Sequence, residues 1–455
     1  MLYMLFLSTV YSVVVDYIFP IILVLGVLVF VHELGHFLAA KLFGVRVERF
    51  SIGFPPRLFG TKIGDTDYCV SAVPLGGYVK MSGMIDESLD AESYSEEPKP
   101  YEFRAKPTWQ KVIIITAGVI MNFLLGIGIF WGIFWFQGEQ VTPTTRAVVV
   151  EGGIADSMGL KTGDRFVEIA GKPVEHWEDV GRSFLANLGE DTPFLVERNG
   201  DRLQFVFDWE GRESKDIVRV GMGPLLPARV GKVSPDYPAA DAGLQRGDAI
   251  IAIGDSSVAT WQEMTGIISG SAGTPLDFTI VREGETLDVS IAPRAYHYED
   301  ENGEEQVRGL IGIAPYMAHR KLDFGASLSR GFSEAVFLGG ANVRGFSRVI
   351  TGVDDARDSL AGPLAIAKMV GDVAKESLVD LLRIMAMLSV VLGIVNILPI
   401  PALDGGHLII ILIEGVMKRP LPLKVKLAIQ QVGMLILLLL MIFIFGNDIA
   451  RLTGN

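Results

Sequence analysis

Residues 17–43 read YIFPIILVLGVLVFVHELGHFLAAKLF, an apolar run that carries His-Glu-Leu-Gly-His at positions 32–36. At about 1.5 Å of rise per residue, a helix of this length spans the roughly 30 Å of hydrocarbon in a bilayer. Ionisable residues are costly inside such a span and usually mark function. The run is too long for a cleaved signal peptide and no basic residue precedes Lys41, so we expect a membrane helix that carries a functional site.

Three further apolar runs are long enough to cross a membrane. They cover about Val112–Phe136, Leu378–Leu398 and Leu427–Phe445, whereas the middle of the 455-residue chain reads as ordinary globular protein. The net charge of −13 argues against a nucleic-acid partner. The single cysteine, Cys69, argues against a disulfide framework and against a cysteine-rich zinc site.

The two histidines of the first run form a metal-binding pattern. Four positions apart on a helix, His32 and His36 share one face and can hold one zinc ion. Glu33 lies between them, close enough to take a proton from a water bound to that ion. Polar packing between helices is the alternative explanation, and the position of all three residues within an apolar span argues against it.

A third ligand is expected from another span, because catalytic zinc commonly keeps three protein ligands and one open position. The sequence NILPIPALDGG, which begins at Asn396, ends the third apolar run, and its prolines break the helix at membrane depth. Asp404 is the expected carboxylate ligand; its alternative role is to cap the next helix, and His407 is the alternative ligand. Asn396, Pro399 and Pro401 are expected to hold unwound substrate through exposed polar groups.

The globular middle of the chain contains a repeat. GLKTGD at residues 159–164 recurs as GLQRGD at residues 243–248, an offset of 84 residues. The same offset relates three later pairs: Trp177 and Trp261, Arg198 and Arg282, and Gly200 and Gly284. A constant offset predicts two copies of one fold. The short alternating strands of each copy, over about 145–210 and 226–294, resemble tandem PDZ domains of the bacterial, circularly permuted kind. Such domains bind extended peptides at a sheet edge, and the alternative is a pair of modules that only occupy space.

The distribution of lysine and arginine predicts the orientation of the spans. No basic residue precedes Lys41, whereas residues 41–111 carry ten and residues 418–426 carry four. These two segments are therefore expected in the cytoplasm, with both termini and residues 138–375 on the opposite side. The acidic run 86–102 is expected to be a solvated linker.

HELGH and NILPIPALDGG together strongly resemble the motifs of the site-2 protease family of intramembrane metalloproteases. With tandem PDZ modules between the second and third spans, the resemblance covers nearly the whole chain. It implies a Zn²⁺ ion held by His32, His36 and Asp404, with Glu33 as the catalytic base. It also implies a bacterial inner-membrane location, with the PDZ modules and both termini in the periplasm.

Further segments resemble features of that family, namely residues 50–55, 74–80 and 361–364. The segment Val45–Met81 alternates like β-strands, and in the family such a sheet dips toward the active site and pairs with substrate. An edge strand can replace the hydrogen bonds that a helical substrate loses when it unwinds. The second span departs from the family pattern, because Val119 stands where the family has proline. Asn122, three residues later, is grouped with the expected substrate-binding residues and can hydrogen-bond inside the bundle.

The predicted fold is a membrane protein with four transmembrane helices, a re-entrant β-hairpin sheet and two inserted PDZ-like α+β domains. The predicted domains, in chain order, are a first transmembrane helix with HExxH (1–44), a cytoplasmic-side β-hairpin region with an acidic linker (45–111), a second transmembrane helix (112–137), a first PDZ domain (138–220), a second PDZ domain (221–294), an extracytoplasmic amphipathic connector (295–375), a third transmembrane helix with the LDGG motif and the following helix (376–417), and a fourth transmembrane helix with the C-terminus (418–455).

The predicted function is zinc-dependent endoproteolysis of transmembrane segments. By resemblance, the partners are the lipid bilayer and single-span proteins already trimmed outside, such as anti-sigma factors, or signal-peptide remnants. One alternative is a non-enzymatic PDZ adaptor with a structural metal, which would need neither Glu33 nor an open coordination position. Another is a metal transporter, although the spans lack a series of polar residues. The PDZ pair is expected to exclude bulky substrates rather than to capture a new carboxyl end, because the sequence shows no clear carboxylate-binding loop.

Overall fold

The computed structural model of the protein describes residues 13–84, 97–214, 216, 220–299 and 304–453. Most of the predicted acidic linker therefore lies outside the described residues. The helices are α1 Phe19–Leu42, α2 Thr108–Gln137, α3 Ile154–Ser157, α4 Trp177–Ala186, α5 Pro238–Asp241, α6 Trp261–Ser269, α7 Phe324–Ile350, α8 Ala356–Ser359, α9 Pro363–Glu376, α10 Leu378–Ile397, α11 Asp404–Met417 and α12 Leu423–Thr453. A π-helical turn, Val14–Ile18, precedes α1, and a 3₁₀ turn, Phe103–Ala105, precedes α2.

The strands are short except for the first two. They are β1 Val47–Ile63, β2 Thr66–Met81, β3 Glu139–Val141, β4 Ala147–Val149, β5 Arg165–Ile169, β6 Lys172–Pro173, β7 Thr192–Arg198, β8 Asp201–Phe207, β9 Met222–Pro224, β10 Val230–Val233, β11 Ala249–Ile253, β12 Ser256–Ser257, β13 Leu276–Arg282, β14 Glu285–Ile291, β15 Arg294–Glu299, β16 Glu305–Leu310, β17 Ile313–Pro315 and β18 Ala318–Arg320.

Within the described residues, four helical stretches are long and apolar enough to cross a membrane, as the sequence predicts. They are Val14–Leu42, Thr108–Gln137, Leu378–Ile397 and Leu423–Arg451. The chain divides into two compact units, and all four stretches belong to the first, which we call the membrane unit (residues up to Gln137 and from Leu322 onward). The second, the inserted unit, is Gly138–Lys321.

Strands β1 and β2 form a long antiparallel hairpin whose turn lies between Ile63 and Thr66. The positive φ of Gly64 suits this tight two-residue connection. At its base, Val47 and Phe50 are buried in one apolar cluster with side chains of α1 and α2. The hairpin base is therefore anchored on the same two helices that carry the histidines and Asn122.

In the inserted unit, two modules have the same sheet order, β6-β5-β7-β8 and β12-β11-β13-β14. The repeated landmarks of the sequence form one structural feature in each module. Arg198 donates to both carboxylate oxygens of Asp164, at 2.6 and 2.7 Å, and Arg282 does the same to Asp248, at 2.7 and 2.7 Å. Burial alone would raise the pKa of Asp164, but the hydrogen bonds and charge of Arg198, together with the backbone N–H and charge of Lys161, outweigh it and hold that pKa below its ordinary value.

Both modules extend past the boundaries predicted from sequence. Strand β9 pairs with β4 beyond the predicted end at residue 220, and β17 pairs with β10 beyond the predicted end at residue 294. Gly221 and Gly312 precede these closing strands at equivalent places, both with positive φ. Strands of three residues carry almost no periodic signal, which is why the sequence did not mark them.

Helix α7 lies within the predicted amphipathic connector and packs on α2 in the membrane unit. A side chain at Gly331 would overlap the backbone of Trp131, so glycine permits this close approach. The segment 361–364 begins helix α9, and buried Asp448 from α12 accepts hydrogen bonds from the backbone N–H groups of Gly362, Leu364 and Ala365. This carboxylate satisfies the otherwise unpaired donors at the start of α9.

Candidate metal centre

Two imidazoles and one carboxylate meet inside the membrane unit. His32 and His36 of α1 and Asp404 at the first position of α11 each offer one ligand atom to a group that spans no more than 4.8 Å. The two Nε2 atoms are 3.2 Å apart, and Asp404 Oδ2 lies 3.0 Å from that of His32 and 3.3 Å from that of His36. Ligand atoms of a tetrahedral zinc site, with bonds of about 2.0–2.1 Å, are separated by roughly 3.3 Å.

The protonation pattern also suits a cation between these atoms. His36 Nδ1 lies 2.8 Å from the carbonyl oxygen of Ile114, which can only accept, so in the neutral ring Nδ1 carries the hydrogen. The lone pair of His36 Nε2 then points toward His32 Nε2 and Asp404 Oδ2. Asp404 Oδ2 is buried and has no hydrogen-bond partner among the described residues. Electron-rich atoms this close repel one another unless a proton or a metal ion lies between them, so the donor set fits zinc.

Close contact between α1 and α2 brings the histidines to this place. A Cβ at Gly35 would lie 2.4 Å from the carbonyl oxygen of Ala117. A Cβ at Gly118 would lie 2.4 Å from His36 Nε2 and 2.9 Å from His32 Nε2. Glycine at both positions therefore lets the helices touch beside the imidazoles.

The proline break positions the carboxylate. Helix α10 ends at Ile397, and Ala402 adopts a φ of 79°, an uncommon conformation for a residue with a side chain. The chain then folds so tightly that a Cβ at Gly405 would lie 2.1 Å from the carbonyl oxygen of Leu398. Leu403 is the N-cap of α11, so Asp404 does not take the capping role that was its alternative.

A cavity of about 220 Å³ opens beside the three ligand atoms. Glu33 and Asn396 line it together with Gly76 and Gly77 of β2. The amide of Asn396 reaches to 3.3 Å from His32 Nε2. His407 also lines the cavity, but it is not part of the three-residue group.

Asn122 lies in a different place from Asn396. It is fully buried, and its amide is 3.2 Å from His32 Nδ1, on the side of the ring away from the carboxylate. Of the described residues expected to bind substrate, Asn122, Pro399 and Pro401 do not line the cavity, whereas Asn396 does. This position suits a residue that orients the imidazole of His32, and substrate binding by Asn122 stays a prediction.

Sequence reasoning missed several glycines that shape this site. Gly118 is one; Gly433 of α12 is another, since a Cβ there would lie 2.1 Å from the carbonyl oxygen of Pro401. The fourth span thus touches the proline break directly. The sequence signal for Gly118 is its place in the family pattern of the second span, where it precedes Val119 and lies one turn before Asn122.

We expect Gly118→Ala to weaken metal binding at least tenfold, because the added methyl group overlaps both imidazole Nε2 positions. Alanine normally stabilises a helix relative to glycine, so helix propensity cannot explain such a loss. Gly128→Ala is the matched control, since a Cβ at that position of α2 meets nothing within 4 Å. Titration of both purified variants with zinc measures the effect. Equal affinity in the two variants would contradict the steric argument.

A group of this composition, formed where apolar helices meet, indicates a metal-binding protein of the membrane. Comparison with known sequences gives the family. The sequence pattern of Peptidase family M50 matches residues 20–440, and the chain belongs to this family of site-2 proteases. Membership sets aside the adaptor and the transporter as descriptions of the protein.

Relatives match along almost the whole chain. Regulator of sigma-E protease RseP of Escherichia coli K12 is 31% identical over 95% of this chain and 98% of its own length. Protease RseP of Yersinia pestis is 32% identical over the same shares of the two chains. Among solved structures, the chain is similar to the PDZ domain of an SdrC-like protein from Listeria monocytogenes, at 26% identity over 19% of this chain and 84% of that one, with a TM-score of 0.16.

Proposed function

We propose that the protein hydrolyses peptide bonds in the membrane segments of single-span proteins. The observation that carries this proposal is the location of the metal group within α1, an apolar helix long enough to span a bilayer, with its third member supplied from the break after α10. His32, His36 and Asp404 would hold zinc, and Glu33 would act as the general base.

The residues divide the chemistry between them. When bound, zinc polarises the scissile carbonyl and makes water at the site more acidic. Glu33 accepts a proton from the attacking water and can return it to the leaving amine. Metal ligation through Nε2 requires His32 Nδ1 to carry its hydrogen, and Asn122 then has to present its carbonyl oxygen to that atom. Asn122 Oδ1 is buried and has no hydrogen-bond partner in the described part of the chain. A rotation of the side-chain amide by about 180° exchanges its nitrogen and oxygen, so that Oδ1 accepts the hydrogen bond from His32 Nδ1.

The substrate would bind in an extended form beside β2. Gly76 and Gly77 line the cavity, so the backbone of β2 borders the space in which a substrate would lie. We propose that the β1–β2 hairpin reaches into the membrane and pairs with the unwound segment through this backbone. The exposed apolar residues of the hairpin suit such an environment, namely Leu58, Phe59 and Ile63.

Reconstitution tests the reaction. We expect the purified protein in proteoliposomes to cut a tagged single-span substrate at a bond inside its apolar segment, identified by mass spectrometry. A chelator should stop cleavage and added zinc should restore it. Cleavage confined to the soluble flanks of the substrate would overturn the intramembrane assignment.

Asn396→Ala should lower cleavage about tenfold at unchanged zinc content, because the lost amide can no longer hold a substrate carbonyl in the cavity. Zinc content and cleavage of several substrates are measured on the same preparations. Unchanged rates for all of them would exclude Asn396 from substrate binding, and loss of zinc would assign it to the metal site instead.

For location, we propose the inner membrane of a bacterium, with both termini and the inserted unit in the periplasm, as the basic residues of the other loops predict. Substrates would include anti-sigma factors, since relatives are named regulators of sigma-E, and signal-peptide remnants. Labelling of single cysteines from each side of the membrane, in a Cys69→Ser background, tests the orientation.

We propose that the two PDZ-like modules exclude substrates with bulky outer domains. Peptide capture is the second candidate, and one observation favours it. The first module has a groove of about 130 Å³ between α4 and β9, lined by Trp177, Phe184 and Met222 among others. A strand edge beside a helix can hold an extended peptide.

Two variants separate exclusion from capture. If the modules exclude, replacement of residues 138–321 by a flexible linker should permit cleavage of untrimmed substrate, and Met222→Trp should change nothing. If they capture, Met222→Trp should fill the groove and slow cleavage of trimmed substrate about tenfold, while the bulk of the unit remains. Intact substrate left uncut by the linker variant, with zinc still bound, would rule out exclusion.

A further inference from the structure

A second and larger cavity, of about 730 Å³, lies in the membrane unit between the start of α2, the end of α11 and the start of α12. Its lining includes the apolar residues Phe103, Ile410 and Ile411. It also includes five basic residues, namely Arg104, Lys111, Lys418, Arg419 and Lys426. No step of the proposed proteolysis uses this cavity.

The positive charges of the lining exceed the negative ones. Lys426 pairs with Glu414 at 2.7 Å, and Arg104 pairs with Glu102 at 2.5 Å. Within the part of the chain that the structure describes, Lys111, Lys418 and Arg419 form no ion pair with a carboxylate. The cavity therefore offers three cationic groups to an anion.

A buried amide points to the same kind of ligand. Gln430 lies in the second turn of α12, is only 3% exposed, and lines the cavity. Its Nε2 has no hydrogen-bond partner among the described residues. A buried N–H donor without an acceptor is costly, so an acceptor oxygen inside the cavity would satisfy it.

The position of the basic residues indicates which kind of anion the cavity binds. Lys111 is in the first turn of α2 and Lys426 in the first turn of α12, and both helices are candidate membrane spans. Groups at the ends of spans lie at the level of lipid headgroups. A lining that combines apolar and basic side chains matches a phosphate that is joined to acyl chains, and basic pockets between membrane helices are known to hold such headgroups.

We propose that this cavity binds the phosphate headgroup of an anionic phospholipid, with Lys111, Lys418 and Arg419 neutralising the charge and Gln430 donating to a phosphate oxygen. The bound headgroup would lie against α11, the helix that begins with Asp404. Met84 and His407 line both this cavity and the one beside the metal group, so the two sites are neighbours.

Binding is tested on the delipidated full-length protein in neutral detergent. Phosphatidylglycerol should raise the midpoint of thermal unfolding and be retained in native mass spectrometry, whereas phosphatidylcholine with the same acyl chains should do neither. Lys418→Gln with Arg419→Gln should lower the apparent affinity for phosphatidylglycerol about tenfold. Gln430→Leu should also lower it, although it changes no charge. Zinc content and the unfolding midpoint without lipid establish that each variant is folded.

Lys424→Gln is the matched control, because Lys424 belongs to the same basic segment, residues 418–426, but does not line the cavity. It should lower the affinity less than about threefold. If Lys424→Gln lost as much affinity for phosphatidylglycerol as the double variant, general surface charge would explain the binding. That result would contradict the proposed site. An equal response to phosphatidylcholine, or no change in Gln430→Leu, would also overturn it. A full response to inorganic phosphate alone would replace the lipid by free phosphate.

Discussion

Glu33→Gln should abolish cleavage, by at least about 10³-fold, while zinc stays bound at one ion per chain. Glu33 lines the cavity with both imidazoles, in the same turn of α1 as His32, and is not part of the group of ligand atoms. An amide of nearly the same shape cannot accept the proton of the attacking water, so the loss should fall on the chemical step. The measurement is single-turnover cleavage of a tagged single-span substrate in proteoliposomes, beside metal analysis of the same sample.

Glu376→Gln is the control for this experiment, because it makes the same chemical change at an exposed position in the last turn of α9. It should cut substrate at the normal rate. Substantial cleavage by Glu33→Gln would exclude Glu33 as the base. Loss of zinc from that variant would show that the glutamate holds the metal site together instead.

Asp404→Ala should reduce zinc occupancy from one per chain to nearly none, a loss of more than about 100-fold in affinity. The carboxylate is the one member of the group that does not come from α1. Its Oδ2 atom lies 3.0 Å from His32 Nε2 and 3.3 Å from His36 Nε2. Without it, two histidines remain, which is fewer than the three protein ligands that catalytic zinc sites keep. Zinc titration and metal analysis after dialysis measure the change.

His407→Ala decides between the two possible third ligands. His407 is one turn further along α11 and lines the same cavity, but its ring lies outside the group of three. We therefore expect this variant to keep its zinc. Full occupancy in Asp404→Ala together with loss in His407→Ala would reverse the assignment.

The membrane unit shows where local patterns are informative. The four spans could be predicted because a long run of apolar residues is a local property of the sequence. The spacing of His32 and His36 predicted a shared helix face, and a helix does bring their Nε2 atoms to 3.2 Å. The landmarks of the repeat were equally visible, since Asp164 and Arg198 recur at one offset and form the same ion pair in both modules.

Other features have no local signature. The closing strands β9 and β17 have three residues each, and they are strands because they pair with β4 and β10, far away in the chain. Asn122 has the chemistry of a substrate-binding residue in the sequence, but packing buries it behind His32. The glycines at 118 and 433 are ordinary residues of apolar helices until the opposing atoms are known.

The sequence by itself thus determined the class of chemistry, because the spacing of ligand residues on one helix and the length of an apolar run depend only on nearby residues. It also supplied Asp404 as a candidate, from the proline break before it. Only the tertiary structure decided that this carboxylate lies 3.0 Å from His32, more than 360 residues away in the chain. That distance depends on contacts between helices, at Gly35 and Gly118 and at Gly405, where single hydrogen atoms leave room for the opposing atoms. Packing of this kind depends on two surfaces from distant parts of the chain, so the periodicity of one segment cannot predict it.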